Sequence, residues 1–469
     1  YGGDLDGRTR FPREVLAAVR ARVGDDFTVG IRIVANEFHP DGLDGAAMLE
    51  VIARLREDAR IDFLDLAAGG YHNVHYVFPS SPMPYAWLRD DVAAVKAGNP
   101  DVPVFGVGAA RSVEEAEEVV RDGIADMVAL TRAQIADPDL GRKLTGVDGD
   151  GIRHCIRLNQ GCLGRGSRGL AMSCTVNPIA GRERERPPRP RAKHAEHWTV
   201  VGGGPAGMRA AIELASDGHD VTLIERSTEL GGQLRLAQRV PGRESVGLLV
   251  DDLVRDLAAA GVDVRLGTDA SATLTGNVVV ATGAVAPRTT SLALGGAYAP
   301  DASRHRVVDA FAAASTPDAL PRRIAVVDAD GTAYAAGIVL TLLEHVDELE
   351  LITPFETVFP HIGAGYDRPL LLERLGAHPG FRRHVSQRVE RFEDDDVVIR
   401  DAVTGEERLV GAVGAVVGIE PRESVAIEVA EASRVFVIGD AFAPRSIDAA
   451  IFEAVEVAYD VAGMTTLRG

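Results

Sequence analysis

Short apolar runs alternate with amphipathic stretches along the first third of the chain. The apolar runs predict strands over residues 27–34, 61–67, 102–107 and 126–130. The amphipathic stretches predict helices over residues 45–56, 85–97, 113–122 and 133–145. Strand–helix alternation with short connections predicts a parallel sheet. Four such units make half of an eight-unit barrel, whose active sites lie at the carboxyl ends of the strands.

A half-barrel leaves two open sheet edges, which natural proteins avoid. Residues 1–148 are therefore expected to form an incomplete barrel domain, in a chain that opens at Tyr1 without an initiator methionine. We expect the chain to be a fragment, or one that completes its fold with something absent.

A second α/β pattern begins with the strand at Trp198, and further strand patterns start at Arg323 and recur over 415–419 and 435–438. We assign residues 198–290 and 411–469 to a nucleotide-binding domain, with a second domain over 291–410 inserted. Residues 149–197 contain the cysteines and a linker. Within it, the run 182–191 alternates charges with prolines, which predicts an exposed linker.

The strongest local motif is a G-x-G-x-x-G loop between the Trp198 strand and a helical stretch. Its residues are Gly202, Gly203, Gly204, Pro205, Ala206 and Gly207. Such a loop brings backbone N–H groups and a helix N-terminus against a pyrophosphate. The next strand, 220–224, runs into Glu225, whose carboxylate can accept hydrogen bonds from ribose hydroxyls. The pattern predicts a dinucleotide or adenine-nucleotide site, which we extend to Arg226, Gly232 and Gln233.

Two later segments favour a flavin nucleotide. An apolar strand runs into the small-residue turn Ala281-Thr282-Gly283, and another strand ends in Gly439-Asp440 before a helical stretch over 447–461. Asp440 can contact a flavin ribityl chain, or it can merely cap that helix. These three pieces, at these separations, resemble the FAD-binding domain of two-dinucleotide flavoproteins.

The motif expected of a nicotinamide site is degraded. The strand from Arg323 is followed by a turn and a helix, but Asp328 and Asp330 stand at the early glycine positions. Two carboxylates beside a pyrophosphate would repel it and crowd the backbone approach. NAD(P)H binding there is therefore doubtful, and the alternative is a Rossmann-like layer kept for structure.

The three cysteines are Cys155, Cys162 and Cys174. Thiolates are the soft ligands that iron–sulfur clusters need, but a fully cysteine-ligated cubane requires four. The alternative is three buried and inert cysteines. Their clustering suits a metal or cluster site in a reducing cytoplasm better than a disulfide framework.

The predicted half-barrel carries several candidate groups at its strand ends. Gly108, Ala109, Thr131 and Arg132 follow neighbouring strands and form a plausible phosphate clamp. Arg32 lies within a strand, where a cation needs a partner. It could stabilise negative charge on a reduced flavin ring. His72 follows the second strand and can move protons near neutral pH, although an isolated loop histidine is usually just solvated.

Composition and charge argue against several classes of protein function. Hydrophobic residues make up 46% and charged residues 25% of the 469 positions, which is ordinary for a globular protein. The formal net charge of −19 argues against a dedicated nucleic-acid or anionic-membrane binder, although a local basic patch could survive it. No apolar run reaches the ~18 residues that span a bilayer. We expect a cytoplasmic homo-oligomer.

Taken together, these residues resemble the flavoprotein family that joins an old-yellow-enzyme barrel to a two-dinucleotide domain. Its members include 2,4-dienoyl-CoA reductase and trimethylamine dehydrogenase. Residues 1–11, YGGDLDGRTRF, are similar to the family's YGGSLENRxRF turn after the fourth barrel strand. Residues 125–140 are similar to its FMN-phosphate segment. Residues 439–445 look like its C-terminal flavoprotein motif, closest to the amine-dehydrogenase branch.

The resemblance implies a fold and a set of residue roles. The fold would be the C-terminal half of a TIM (β/α)8 barrel, lacking strands one to four, followed by a Rossmann-like two-dinucleotide module. Arg32 would lie near the pyrimidine end of FMN. The FMN phosphate would be held by Gly108, Ala109 and Arg132. His72 falls where the dienoyl-CoA reductase branch has its active-site histidine.

The resemblance also implies a ligand set for the cysteines. Cys155, Cys162 and Cys174 fall on three of the four ligands in the family's C-x2-C-x3-C-x11-C pattern. Leu158 stands where the second ligand belongs. This departure leaves open a 4Fe–4S cluster with an odd fourth ligand (His154 or solvent), a 3Fe–4S cluster, or no cluster.

The expected function is that of a flavin-dependent oxidoreductase using FMN, FAD (or ADP) and an iron–sulfur centre. Hydride would pass between FMN and a small substrate: an enoyl thioester, an enone or an amine. If the second nucleotide site is lost, electrons leave to a carrier protein; if it binds NAD(P)H, the enzyme reduces an activated alkene. A separate chain could supply the absent half-barrel. The alternative is a non-catalytic nucleotide-binding subunit or a decayed paralogue.

Overall fold

The computed structural model describes residues 1–84, 87–108, 112–146, 151–270, 274–287, 306–362, 368–393, 396–429 and 432–464. Of the residues singled out above, Ala109 lies outside these ranges. The chain divides into two compact units, Tyr1–Leu140 and Gly141–Gly469. In the described part of the chain, no helix is both long and apolar enough to cross a membrane.

The first unit is built from short strands alternating with helices. Its strands are β1 Ile31–Val34, β2 Leu64–Ala67, β3 Val104–Gly106 and β4 Met127–Val128. Its helices are α1 Leu5–Val23, α2 Gly45–Asp58, α3 Val74–Val77, α4 Arg89–Gly98, α5 Val113–Arg121 and α6 Thr131–Ala136, and α7 Leu140–Leu144 crosses the boundary between the units. All four strands are parallel, and they neighbour one another in chain order. This is the predicted arrangement of a half-barrel.

Alternation along the strands separates the two faces of this sheet. Leu64, Leu66 and Val104 are fully buried in the core shared with the helices. The intervening residues point to the other face because successive side chains of a strand alternate. There Phe63 and Phe105 stack with ring centroids 4.9 Å apart. This second face corresponds to the interior of a closed barrel.

Helix α1 is an element that the sequence interpretation missed. Its first residues read as a turn, but the Asp4 side chain accepts a hydrogen bond from the Gly7 amide and so caps the helix. An aspartate in extended backbone at this position is a standard helix start. The family-like turn motif therefore contains the first two turns of a 19-residue helix.

The second unit contains the remaining elements. Its strands are β5 His197–Val201, β6 Asp220–Ile224, β7 Asp263–Arg265, β8 Gly276–Val280, β9 Ala284–Val285, β10 Arg306–Asp309, β11 Arg323–Asp328, β12 Glu348–Ile352, β13 Phe381–His384, β14 Gln387–Glu393, β15 Asp396–Asp401, β16 Glu407–Ala412, β17 Ala415–Ile419, β18 Glu423–Ser424 and β19 Ala432–Val437. Its helices are α8 Leu163–Gly166, α9 Pro205–Ser216, α10 Leu234–Ala237, α11 Val246–Ala260, α12 Ala310–Ser315, α13 Ala333–Leu343, α14 Arg368–Ala377 and α15 Ile447–Val461. Single 3₁₀ turns lie at Pro317–Ala319 and Gly439–Ala441.

Two parallel sheets form the layers of this unit. The first layer has the order β19-β8-β5-β6-β7, and the second has the order β10-β17-β11-β12-β13. Strands β14, β15 and β16 form an antiparallel meander, and β9 pairs with β18. In both layers the central strand is followed by a turn and a helix, α9 after β5 and α13 after β11. Ligands bind at such strand–helix turns in open α/β sheets.

Seven residues of the run 182–191 are exposed, as predicted for a linker, but three of its arginines are not. Arg182, Arg186 and Arg189 are partly buried, and they pair with residues of α9 and α15. The charges therefore serve as specific partners for carboxylates and rings of the nucleotide-binding domain. Composition alone could not reveal those partners because they lie far away in the sequence.

Candidate nucleotide and flavin sites

The first glycine loop, between β5 and α9, is shaped by close backbone contacts. Gly202 has a φ of +111°, and a Cβ there would collide with the Ala281 carbonyl oxygen. A Cβ on Gly207 would collide with the Gly202 carbonyl oxygen. Gly204 is different, because a Cβ there would have no described protein atom within 4 Å. The loop thus needs two glycines for its own packing and leaves open space at the third.

Glu225 ties the end of β6 to this loop. It is 8% exposed, and its carboxylate accepts from the Gly203 amide at 2.6 Å and the Ser227 amide at 2.7 Å. A carboxylate has about four lone-pair sites, so these two bonds leave capacity for ribose hydroxyls. The predicted ribose contact stays a prediction, and Glu225 also orients the loop.

The other predicted segments lie around the same loop. A Cβ on Gly232, whose φ is +52°, would stand 3.2 Å from the Gly204 Cα. Gln233 donates to the Ala284 carbonyl at 2.9 Å. The Thr282 hydroxyl donates to the Val425 carbonyl, and Gly283 has a φ of +77°. Arg226 is exposed.

Asp440 lies in a network that the sequence did not reveal. Its carboxylate accepts from the Arg422 guanidinium and, at 2.9 Å, from the Arg445 amide. Arg422 also donates to the Gln233 side-chain oxygen at 2.7 Å. The capping alternative for Asp440 is wrong, because the N-cap of α15 is Ser446. No local motif marks Arg422, which is 189 positions from Gln233.

The second strand–helix turn, after β11, is closed by its own carboxylates. Asp328 is fully buried and accepts from the amides of Asp330 at 3.0 Å and Gly331 at 2.9 Å. Asp330 accepts from the amide and the hydroxyl of Thr332. Burial raises the pKa of Asp328 to about 6, against the opposing effect of the two amides. The amides that would face a pyrophosphate are therefore already engaged.

The three thiols belong to one packed segment. Cys174 is buried, and burial raises the pKa of its thiol to about 11. The amides of Val176 and Asn177 act against this, while Cys155 and Cys162 are near enough to raise the pKa further. None of the three cysteines, all of them described, forms a disulfide. The other two thiols therefore lie within electrostatic range of Cys174.

The ligand set does not fit a four-cysteine cubane. Leu158 is 6% exposed and lies between Arg157 and Asn159, both with positive φ. Over the described ranges, no group of three or more His, Cys, Asp or Glu side chains is arranged to hold a metal ion. His154 directs its Nδ1 to Asp252 at 2.9 Å. An apolar side chain thus stands at the second ligand position.

In the first unit, the predicted phosphate-binding residues follow adjacent strands. The register pairs Gly106 with Val128, so Gly108 and Thr131 lie beyond the carboxyl ends of neighbouring strands. The Arg132 guanidinium donates to the Pro79 carbonyl at 2.7 Å. Arg32, 61% exposed on the inner face, meets its partner Asp65 at 2.8 Å on the next strand.

His72 lies exposed at the same end of the sheet. Its ring centroid is 5.6 Å from that of His39, which follows β1. Asn73 joins the two loops, because its amide donates to the carbonyls of Glu37 at 2.7 Å and Phe38 at 2.8 Å. Sequence reasoning missed His39 and Asn73. Their signal was their position just after two neighbouring parallel strands.

Comparison with known proteins agrees with this two-part arrangement. Residues 1–147 match the NADH:flavin oxidoreductase / NADH oxidase family, and residues 196–454 match the pyridine nucleotide-disulphide oxidoreductase family. N,N-dimethylglycine/sarcosine dehydrogenase of Chromohalobacter salexigens is 31% identical over 98% of this chain and 72% of its own length. The chain belongs to this family of two-part flavin oxidoreductases. The resemblance drawn from the sequence is confirmed.

Solved structures show the same fold for this flavoprotein. Histamine dehydrogenase from Rhizobium sp. 4-9 matches with a TM-score of 0.83 at 24% identity, over 98% of this chain and 70% of that one. A 2-naphthoyl-CoA reductase matches with a TM-score of 0.85 at 22% identity, over 100% and 69%. The predicted fold class, a partial barrel followed by a Rossmann-like module, is confirmed.

The flavoprotein spans only part of each relative. NADH oxidase of Thermoanaerobacter brockii is 38% identical over 58% of this chain, which covers 42% of that protein. The corresponding share of the Chromohalobacter protein is 72%.

Proposed function

We propose that this flavoprotein oxidises a small N-methylated amine and passes the electrons to a carrier protein rather than to NAD(P)⁺. The closed turn after β11 carries the proposal, because Asp328 and Asp330 occupy the amides that a nicotinamide dinucleotide would need. The substrate class is supported by the names of two relatives, the N,N-dimethylglycine/sarcosine dehydrogenase and a dimethylamine dehydrogenase from Hyphomicrobium that is 31% identical over 52% of this chain.

In the first unit, each candidate residue has a separate task. FMN, when bound, supplies a hydride acceptor that can return electrons one at a time. Gly108, Thr131 and Arg132 would hold its phosphate at the ends of β3 and β4, with Ala109 as a further candidate. Arg32, oriented by Asp65, would place a positive charge against the ring and favour its reduced anion.

The same unit offers a proton acceptor at the substrate side. An amine must lose its ammonium proton before hydride can leave the neighbouring carbon. The His72 imidazole, beside His39, is suited to take that proton at a ring nitrogen.

The first glycine loop fits an adenosine diphosphate group, so we infer that it holds FAD or ADP. Gly204 leaves space for a pyrophosphate at the start of α9, and Glu225 retains lone pairs for a ribose. Asp440 and Gln233 are each engaged by Arg422. The loop's role is therefore nucleotide binding, whichever of the two ligands is resident.

The cysteine segment supplies three thiolates at most. We infer that any cluster it holds is a three-iron cluster or an unstable four-iron one, because Leu158 offers no ligand atom. The alternative is that it holds no cluster, since over the described residues no group of three or more His, Cys, Asp or Glu side chains is arranged to hold a metal ion.

The sheet of the first unit is open at β1 and β4 in its described strands. We infer that firm FMN binding needs further barrel strands, from a longer polypeptide or a separate chain. The 469-residue chain should retain little FMN alone and about one FMN when an upstream half-barrel of a relative is supplied. Stoichiometric FMN in the chain alone would contradict this inference.

The decisive experiment compares two reductants under anaerobic conditions, using flavin-loaded protein completed with the upstream half-barrel. N,N-dimethylglycine or dimethylamine should bleach the flavin absorbance, whereas NADH and NADPH should not. A one-electron acceptor should then restore the absorbance. Bleaching by NADH or NADPH would favour the alkene-reductase alternative, and no bleaching by either would favour a non-catalytic subunit.

A further inference from the structure

Residues 182–191, which we call the strap, are bound to helix α15. Arg186 donates to both carboxylate oxygens of Glu456, at 2.8 and 2.7 Å. The Tyr459 hydroxyl, one turn later on α15, donates to the Pro187 carbonyl at 2.8 Å. Bidentate guanidinium–carboxylate pairs have a defined geometry as well as extra strength. The strap is therefore bound at a specific position on the C-terminal half of α15.

The strap is also bound to helix α9. Arg189 donates to Asp217 at 2.6 Å and also pairs with Glu213, and its side chain is only 9% exposed. Burial raises the pKa of Glu213, but the guanidiniums of Arg209 and Arg189 outweigh burial and keep that pKa below its ordinary value. Glu213 is therefore ionised near neutral pH, and its pairing with the strap persists there.

The strap also contacts the cysteine segment, residues 152–177. Arg182 lies over the Phe452 ring of α15 at 4.3 Å and donates to the Ser173 hydroxyl at 3.2 Å, next to Cys174. At its other end, the segment is joined to α11, where the Asp252 carboxylate accepts a hydrogen bond from the backbone amide of His154 at 2.8 Å. The cysteine segment is thus fastened at both ends to helices of the nucleotide-binding domain.

Of the two helices that carry the strap, α9 begins at the first glycine loop and α15 begins near it. Pro205 starts α9 directly after Gly204. Gly439, upstream of α15, lies so near that a Cβ on it would stand 2.8 Å from the Ala206 Cβ. The two helices pack against each other. A nucleotide at the loop and the strap would therefore contact opposite ends of one helix pair.

We propose that the strap couples nucleotide binding at the first glycine loop to the order of the cysteine segment, with Arg186 and Arg189 as positioning residues. The proposal rests on the nucleotide site proposed above. A ligand that binds only the closed loop suppresses local opening of the α9–α15 pair. Because the strap is ion-paired to both helices, the cysteine segment loses mobility with them.

The test is hydrogen–deuterium exchange of the full chain with ADP as the probe. Saturating ADP should slow exchange of peptides from residues 152–177 at least threefold. In the Arg186→Gln, Arg189→Gln double variant, ADP should bind with a Kd within about threefold of the parent, but the slowing should disappear. Arg184→Gln is the matched control, because it removes an exposed arginine from the same strap. It should behave as the parent.

The outcomes separate this proposal from the one on which it rests. ADP binding without slower exchange in the cysteine segment overturns the coupling and leaves the nucleotide site standing, whereas failure to bind ADP overturns both. If the strap is purely structural, the double substitution should raise exchange in the cysteine segment by the same factor with and without ADP. An unchanged ratio of the exchange rates with and without ADP would therefore overturn the coupling. If the double variant does not fold, Arg186→Gln alone should lose about half of the ADP-dependent slowing.

Discussion

The turns after β5 and after β11 share a strand–turn–helix pattern, yet their chemistry is opposite. After β5, Gly204 faces open space and Glu225 steadies the loop from the neighbouring strand. After β11, the carboxylates of Asp328 and Asp330 fold back onto the amides of their own turn. The first turn leaves space for a ligand, whereas the amides of the second turn donate hydrogen bonds to that turn's own carboxylates.

The difference supports the proposal that the second layer, despite its helix N-terminus, is not a nucleotide site. Each amide has one hydrogen to donate, so an amide engaged by a built-in carboxylate is unavailable to a phosphate. A buried carboxyl also repels a diphosphate when it ionises. The second layer has the sheet and the helix of a nucleotide-binding fold, and the carboxylates of its turn accept hydrogen bonds from the turn's own amides.

The largest expected effect comes from filling the open space in the first loop. Gly204→Val should weaken ADP binding at least about a hundredfold, or about 2.7 kcal/mol, because the branched side chain would occupy the pyrophosphate position. The fold should tolerate it, since Gly204 has a φ of −75° and no described neighbour within 4 Å of a Cβ. Calorimetric titration measures the loss.

The matched control for this variant is Gly376→Val on α14. It adds the same side chain at a glycine whose Cβ would also have no described neighbour within 4 Å. It should bind ADP like the parent. If Gly204→Val and the control both bind ADP as the parent does, the space at Gly204 is not needed for ADP binding, and the contrast between the two turns fails.

The next effect concerns the buried carboxyl of the second turn. Asp328 has a pKa raised to about 6 from 3.8, so the folded state holds a proton that the unfolded state releases first. Stability should therefore fall as the pH rises through that interval, by at most about 3 kcal/mol. Asp328→Asn should match the parent near pH 4 and be the more stable protein at pH 7.

Urea unfolding at several pH values measures this difference. The control is Asp318→Asn, which removes an exposed carboxylate from the same layer. A parent–variant gap for Asp328→Asn that does not change between pH 4 and 7 would show that this carboxyl is not held protonated by burial.

A smaller effect is expected from reopening the second turn. Asp328→Gly with Asp330→Gly should free the amides of Asp330, Gly331 and Thr332 and improve NADH binding about tenfold, equal to about 1.4 kcal/mol. NADH fluorescence measures it. Asp318→Gly with Asp347→Gly makes the same change in net charge at two exposed positions. An equal gain in that control would mean that charge, rather than free amides, limits binding.

The smallest expected change is one iron atom per chain. Leu158→Cys should complete the four-thiolate set and raise iron and sulfide toward four per chain after anaerobic reconstitution. Leu170→Cys adds a thiol at an exposed position outside the ligand spacing and should leave the iron content unchanged. Matched circular dichroism checks folding. Four air-stable irons in the parent, or no gain in Leu158→Cys, would contradict the three-ligand argument.

Periodic segments were the most predictable parts of the chain. Strands β6 and β17 and helix α15 have the bounds that their apolar patterns predicted. The helix predicted over 133–145 is divided into α6 and α7, and α1 was missed because its N-cap lies inside a glycine-rich run. In the site, the glycine loop and Glu225 came from a motif with fixed spacing. Arg422 could not be found that way, because it belongs to no motif.

Three features were predictable from the sequence alone: the layered α/β architecture, the glycine loop and the absence of a fourth cysteine. These features depend on local periodicity, backbone freedom and residue type, all of which can be read within a few dozen positions. Three others became known only from the folded structure: Asp328 binds its own turn, Arg422 pairs with Asp440, and the strap joins α9 to α15. The first depends on how the turn is bent and buried. The other two depend on which group from a distant part of the sequence lies beside a given charge, because burial then sets how strongly the two charges interact.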